Sequence, residues 1–199
     1  MLTAIIFDMD GVLFESHDAW VKVFNNARKH FGFKPISVEE FDENCWSVDS
    51  SIVVPKYFPG KTIKEVTSYY DKIFLDFIND VKLTPNVKET LKKLKEKNLK
   101  LAIATNTYHK QTERISKKLG LYNYFDAIVG ADDVRIGKPQ PDIIIKIAKD
   151  LGIDMDDLVF IGDTEIDMKT CKNAVCKTIG FKINGDKRID EFKELLEVV

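Results

Sequence analysis

Cysteine and histidine are both scarce in this chain, with three of each, and Cys45, Cys171 and Cys176 show no C-x-x-C spacing. So small and scattered a set argues against a disulfide framework or a thiolate metal site. The expectation is buried free thiols in a reducing cytosol, hence a cytoplasmic protein. Charge of one sign is also missing. Thirty basic and 32 acidic side chains leave a net charge of −2, which gives neither nucleic acid nor an anionic membrane an electrostatic reason to bind. No apolar run approaches the ~20 residues that span a bilayer, and the first residues read as a strand, not a signal peptide. Repeats and low-complexity segments are absent. With 44% apolar and 31% charged residues over 199 positions, the chain has material for one cored domain, or one domain with an insertion.

The apolar residues fall into short runs: AIIF (4–7), LKLAIAT (99–105), DAIVG (126–130), LVFIG (158–162) and VCKTIG (175–180). Segments with a helical period separate them. PNVKETLKKLKEKN puts Val87, Leu91 and Leu94 on one face, and PDIIIKIAKDLG does the same with Ile143, Ile144, Ile147 and Leu151. Gly120 and Gly152 stand where helix C-terminal caps are expected. Strands alternating with helices imply βαβ units and a parallel sheet covered on both faces.

The gap between the first two strands is too long for one crossover. Its residues 16–83 read as helical, with Ala19, Trp20, Val23, Phe24, Ala27 and Phe31 on one stripe and Ile63, Val66, Tyr70, Ile73, Phe74 and Phe77 on another. The expected organisation is therefore a core of residues 1–15 plus 84–199, with 16–83 an inserted α-helical cap that leaves beside an acidic turn and can act as a lid.

That turn is DMDG, two carboxylates directly after a buried strand. A strand of this kind can carry charge only where it leaves the core, and in open α/β sheets ligands bind at that edge. An EF-hand loop does not fit, because a strand precedes the motif and a further acid is lacking. Three more strand exits carry polar groups: Thr105-Asn106, Gly162-Asp163 followed by Asp167, and Lys138 on the loop VRIGKPQPD. Taken singly, Thr105 and Asn106 serve equally well as a helix cap, Asp163 as a helix start and Lys138 as a solvated charge. All of them, however, project to one sheet edge. Acids gathered there repel one another unless a cation and a lysine join them, and oxygen-only ligands point to a hard ion, Mg²⁺ before Zn²⁺. A metal, a lysine and a helix N-terminus around a carboxylate are the parts that phosphoryl transfer requires.

The ordered set DMDGV, TN, GKPxPD and GDTEID resembles the haloacid dehalogenase-type phosphatase superfamily over essentially the whole chain, and the helical insertion resembles its phosphoglycolate phosphatase and β-phosphoglucomutase group. The resemblance implies a Rossmann-like three-layer α/β core with strand order 5-4-1-2-3. It also implies a Mg²⁺-dependent phosphatase acting on a small phosphate monoester. Asp8 would be the nucleophile that becomes an aspartyl-phosphate, and Asp10 the acid that protonates the leaving oxygen and then activates water. Thr105 and the backbone at Asn106 would hold the phosphate, and Lys138 would balance charge. Asp8, the carbonyl of Asp10 and Asp163 would ligate Mg²⁺, with Asp167 supporting them. An acid at position 10 favours phosphate esters over carbon–halogen or carbon–phosphorus bonds.

Two departures stand out: Glu15 where the group often has Asp, and KNAVCKTIG where it often has Ala-Gly. The competing readings are a phosphomutase, and a phosphate-responsive regulatory module resembling a receiver domain. Expected partners are a small phosphorylated metabolite and, beyond that, a monomer or small homo-oligomer, with no nucleic acid and no membrane. Substrate selection is expected from the loop DENCWSVDSS (42–51), through Asn44, Trp46 and Ser47, with Lys56 and Lys61 as candidates for a second anionic group.

Overall fold

The computed structural model describes residues 2–199 and divides the chain into two compact units. One runs up to Glu15 and resumes from Leu83 to Val199, and the other is Ser16–Lys82.

The first unit is built on a six-stranded parallel sheet. Its strands are β1 (Ala4–Phe7), β2 (Lys100–Ala104), β3 (Ala127–Val129), β4 (Leu158–Gly162), β5 (Lys177–Phe181) and β6 (Lys187–Ile189), in spatial order β3-β2-β1-β4-β5-β6. β1 is flanked by β2 and β4, so the chain reverses its winding direction there. The expected five-strand order is corrected by β6, which extends the edge beyond β5. That strand is three residues long and opens with exposed Lys187 and Arg188, a charged edge that guards against pairing with another sheet and carries no apolar run to read.

Every residue of β1 is buried, as a central strand with both faces covered requires. Ala4 and Ile6 point to a core shared with Ala102, Val129, Ile143, Ile147, Phe160 and Cys171. Phe7, on the opposite face, stacks on Phe192 at 5.9 Å and meets the edge of Phe125 at 6.1 Å. The crossovers are the helices Val87–Glu96, His109–Leu119, Asp142–Leu151 and Glu165–Ala174. Gly120 and Gly152 take left-handed backbone at the ends of two of them. Helix Glu165–Ala174 ends instead on Val175, an exposed β-branched residue at φ 57°. The expected free thiols need correction here too, because Cys171 and Cys176 are joined across this turn as a disulfide, leaving Cys45 as the free cysteine.

The second unit holds helices His17–His30, Val38–Asn44, Ser50–Tyr57 and Ile63–Ile73, the last continuing as a 3₁₀ turn over Phe74–Asp80. Thr62 and Glu65 form a reciprocal capping box at the start of the fourth helix. Its interior is aromatic: Phe24 lies 5.2 Å from Phe41 and 5.3 Å from Phe58, edge to face. The expected selecting loop is shorter than its ten residues, since 42–44 end one helix and 50–51 begin the next.

Candidate active site

The site grows from strand register. Phe7 lies opposite Ile103 on one side and Ile161 on the other, and the Asp8 amide still donates to the Ile161 carbonyl at 2.8 Å. Asp8, Thr105 and Asp163 therefore leave neighbouring strands within a residue or two of the same level. Parallel strands deliver them with no help from loops.

Gly11 makes the turn after Asp10 possible. Its φ is +88°, and a Cβ there would come 2.0 Å from Asp163 Oδ2. Any side chain would both strain the backbone and push Asp163 out of the site.

Lys138 is the centre of the arrangement. Its ammonium donates 2.6 Å hydrogen bonds to Asp8 Oδ1 and to Asp167 Oδ1, and its side chain is only 2% exposed. The loop that brings it in is held by Asn106, whose side-chain amide donates to the Lys138 carbonyl at 3.0 Å and accepts from the Lys138 amide at 2.7 Å. This two-way clamp explains an asparagine at that position independently of any phosphate. Asp167 is fully buried, and its other oxygen accepts from the Thr164 hydroxyl at 2.6 Å and the Thr164 amide at 3.1 Å. Thr105 is buried, and its hydroxyl oxygen accepts the Thr107 amide at 3.1 Å, which leaves its proton free to donate.

Electrostatics at this edge are unbalanced. Three carboxylates, Asp8, Asp163 and Asp167, present oxygens within 4.8 Å of one another. One ammonium among them leaves two negative charges over. Burial first, then the charge of Asp167, push the Asp8 carboxyl well above its ordinary range against the pull of Lys138. Asp163 is pushed up to about 7 by burial and then by Asp167. The Lys138 ammonium is raised too, but for the opposite reason: burial favours losing its proton, and Asp167 and Asp8 outweigh that. Asp163 Oδ1 is buried with no hydrogen-bond partner among the described residues. An orphaned carboxylate oxygen beside two unbalanced charges fits a hard divalent cation, and the donor set is all oxygen.

The positions singled out in the sequence thus come together at one edge: Asp8, Asp163, Asp167 and Lys138 in direct reach of one another, with Thr105 and Asn106 alongside. Asp10 is buried and its charge acts on Asp163, while its Oδ2 accepts from the Thr107 hydroxyl at 3.4 Å. Thr107 escaped the sequence reading, although a second hydroxyl two residues past Thr105 was a visible signal. Asp132 and Asp133 are the other omission. Asp132 accepts the His109 amide at 2.6 Å, while Asp133 accepts the Gly130 amide at 2.8 Å and meets the His109 ring at 2.6 Å. Nothing in their local sequence announces that task.

In the second unit, the expected selecting residues are engaged with their own surroundings. Trp46 packs edge to face on His17 at 5.1 Å. Asn44 accepts from Lys56 at 2.7 Å, and Lys61 lies 5.3 Å over the Phe31 ring.

Known proteins resemble this chain over most of its length. The profile of the family described as haloacid dehalogenase-like hydrolase matches residues 5–181. A phosphoglycolate phosphatase from Aquifex aeolicus is 30% identical over 183 residues, covering 89% of this chain and 83% of its own. A phosphorylated carbohydrates phosphatase from Thermotoga maritima is 27% identical, covering 98% and 91%. The crystal structure of CbbY from Rhodobacter sphaeroides in complex with phosphate shares the fold, with a TM-score of 0.86 at 22% identity over 98% of this chain and 96% of that one.

Proposed function

The chain belongs to the haloacid dehalogenase-like hydrolase family, and on that premise we propose that it hydrolyses a small phosphate monoester through an aspartyl-phosphate. The observation that carries this reading is Lys138 seated between Asp8 and Asp167, beside the orphaned oxygen of Asp163. The relatives named as phosphatases of phosphoglycolate and of phosphorylated carbohydrates support a small phosphorylated metabolite as substrate.

In this reading Asp8 attacks phosphorus and the ester P–O bond breaks. Asp10 gives its proton to the departing alkoxide and then takes one from the water that cleaves the acyl-phosphate, so that alcohol, phosphate and free Asp8 result. Lys138 orients Asp8 and favours its charged form, opposing a burial that favours protonation. The Thr105 hydroxyl and the backbone at Asn106 receive the phosphate oxygens at the strand exit that leads into helix His109–Leu119. Mg²⁺ would be held by Asp8, the Asp10 carbonyl and Asp163, with Asp167 in support, and it would supply charge balance to the phosphoryl group. Residues 16–83 serve as the cap domain. Closure over the reacting group would exclude water from the ester before attack.

The test is turnover of p-nitrophenyl phosphate and of a panel of phosphorylated metabolites, with and without Mg²⁺ after chelation. Multiple turnovers that need Mg²⁺ are expected, with Ca²⁺ a poor substitute because its looser coordination misplaces the phosphate. A single phosphorylation with no turnover would make the chain a regulator, and full activity in chelator would remove the metal from the site.

A further inference from the structure

Resting on the phosphatase reading, we infer that Thr107 is a positioning residue for the acid, fixing the orientation of the Asp10 carboxyl. Asp10 has its backbone tied by the turn: it bridges to Phe14, and the next amide, Gly11, donates to the Phe14 carbonyl at 2.8 Å. The backbone does not fix rotation of the carboxyl about its own bond. The Thr107 hydroxyl, 97 residues away in sequence, donates to Asp10 Oδ2 at 3.4 Å. A donor held on one carboxyl oxygen favours one rotation of the group and so sets which way its other oxygen faces. A general acid acts only through the atom that faces the leaving group, and misorientation of that atom is costly.

The donor is itself rigidly mounted. The Thr107 amide donates to Thr105 Oγ1, and its carbonyl accepts from the Ala131 amide at 3.4 Å. The segment is pressed onto Gly130, where a Cβ would come 2.3 Å from the His109 nitrogen and 2.7 Å from the Thr107 oxygen. Asp132 and Asp133 latch His109 from the same turn. Two threonines thus divide the work of one loop. Thr105 keeps its proton for the phosphate, and Thr107 spends its own on the acid.

A positioning role leaves a signature that a merely structural one does not. The ratio kcat/KM covers events up to departure of the leaving group, and a poor leaving group needs the acid whereas p-nitrophenolate does not. Thr107→Val should lower kcat/KM for an alkyl phosphate by about 10-fold and for p-nitrophenyl phosphate by less than about 2-fold, with Thr107→Ser restoring both. Thr107→Ala provides the same comparison should the valine variant fail to fold. Equal losses on the two esters would place the hydroxyl on the phosphate itself and overturn the inference alone, as would no loss on either. Failure of the wild-type protein to turn over any ester would overturn the phosphatase reading and this inference together.

Discussion

Lys138 and Phe58 are both almost wholly removed from solvent, at 2% and 0% exposure, yet the interiors around them are built on opposite terms. Around Lys138 the first unit buries charge, with Asp8 and Asp167 held by 2.6 Å hydrogen bonds, Asp163 Oδ1 left without one and the sum negative. Around Phe58 the second unit buries rings: Phe24, Phe31, Phe33 and Tyr70 all stand within 6.3 Å of it. The Cys45 thiol there is pushed up to about 11 and the Tyr70 phenol well above its ordinary range, both chiefly by burial. An apolar interior gains from packing whatever its neighbours do. A charged one is favourable only while every partner is present. The apolar arrangement stabilises a fold, and the charged one keeps reactive groups in one geometry at the cost of stability.

The largest expected effects come from breaking the charged interior. Asp8→Asn should reduce turnover by about four orders of magnitude or more, as loss of a nucleophile does. Its melting temperature should stay within a few degrees, because the amide keeps an acceptor for Lys138 and a buried charge is removed. Lys138→Met should lose both activity and stability, the latter by about 3–5 kcal/mol, because Asp8 and Asp167 would be left buried without a counter-charge. Denaturant titration of the two variants beside wild type separates these outcomes. A Lys138→Met protein as stable as wild type would mean that the carboxylates are already neutral.

The aromatic interior should respond with stability alone. Phe58→Ala removes a buried ring from the centre of its cluster and should lower the unfolding free energy by about 3–5 kcal/mol. Near-ultraviolet circular dichroism during denaturation reports it directly. A neutral effect would mean that the rings repack freely, and the contrast with Lys138 would lose its meaning.

Much of this was legible in the sequence for a physical reason. Buried parallel strands must be continuously apolar, and their exits must turn polar, so AIIF followed by DMDG or LVFIG followed by GDT marks both the strand and the edge where chemistry collects. Asp8, Asp163, Asp167 and Lys138 were found that way. What escaped depends on partners distant in the chain. Asn106 reads as a phosphate-loop residue, but its side chain clamps a backbone 32 residues away. Thr107 gains its meaning from Asp10, and Asp132 and Asp133 gain theirs from His109. β6 was missed because a short charged edge strand has no apolar pattern. The Cys171–Cys176 pairing was missed because nothing in an isolated cysteine says that a left-handed Val175 will fold the chain back beside it.

The smallest expected effect sharpens the comparison by testing the same kind of charge pair in water. Asp126 precedes β3 at the surface, where its carboxylate meets Lys95 at 2.7 Å and Lys100 at 3.7 Å and accepts the Leu101 amide at 2.9 Å. Burial works to raise this carboxyl, but the Lys95 hydrogen bond, the Leu101 amide and the two ammonium charges outweigh it and hold it below the ordinary range. The pair therefore stabilises the fold when Asp126 is ionised. That contribution is present above the ordinary carboxylate range near pH 4 and is lost as pH falls through the depressed value in the folded protein. Because solvent screens the pair, it should be worth at most about 1 kcal/mol, a fraction of what removing Lys138 costs. Asp126→Asn keeps an acceptor for Leu101 and deletes only the charge. Its deficit relative to wild type, measured by urea denaturation, should be small at pH 7, smaller in 1 M salt and absent near pH 2. A deficit that persisted unchanged into acid would trace to the hydrogen bond with Leu101, and charge at the surface of this unit would then contribute nothing measurable.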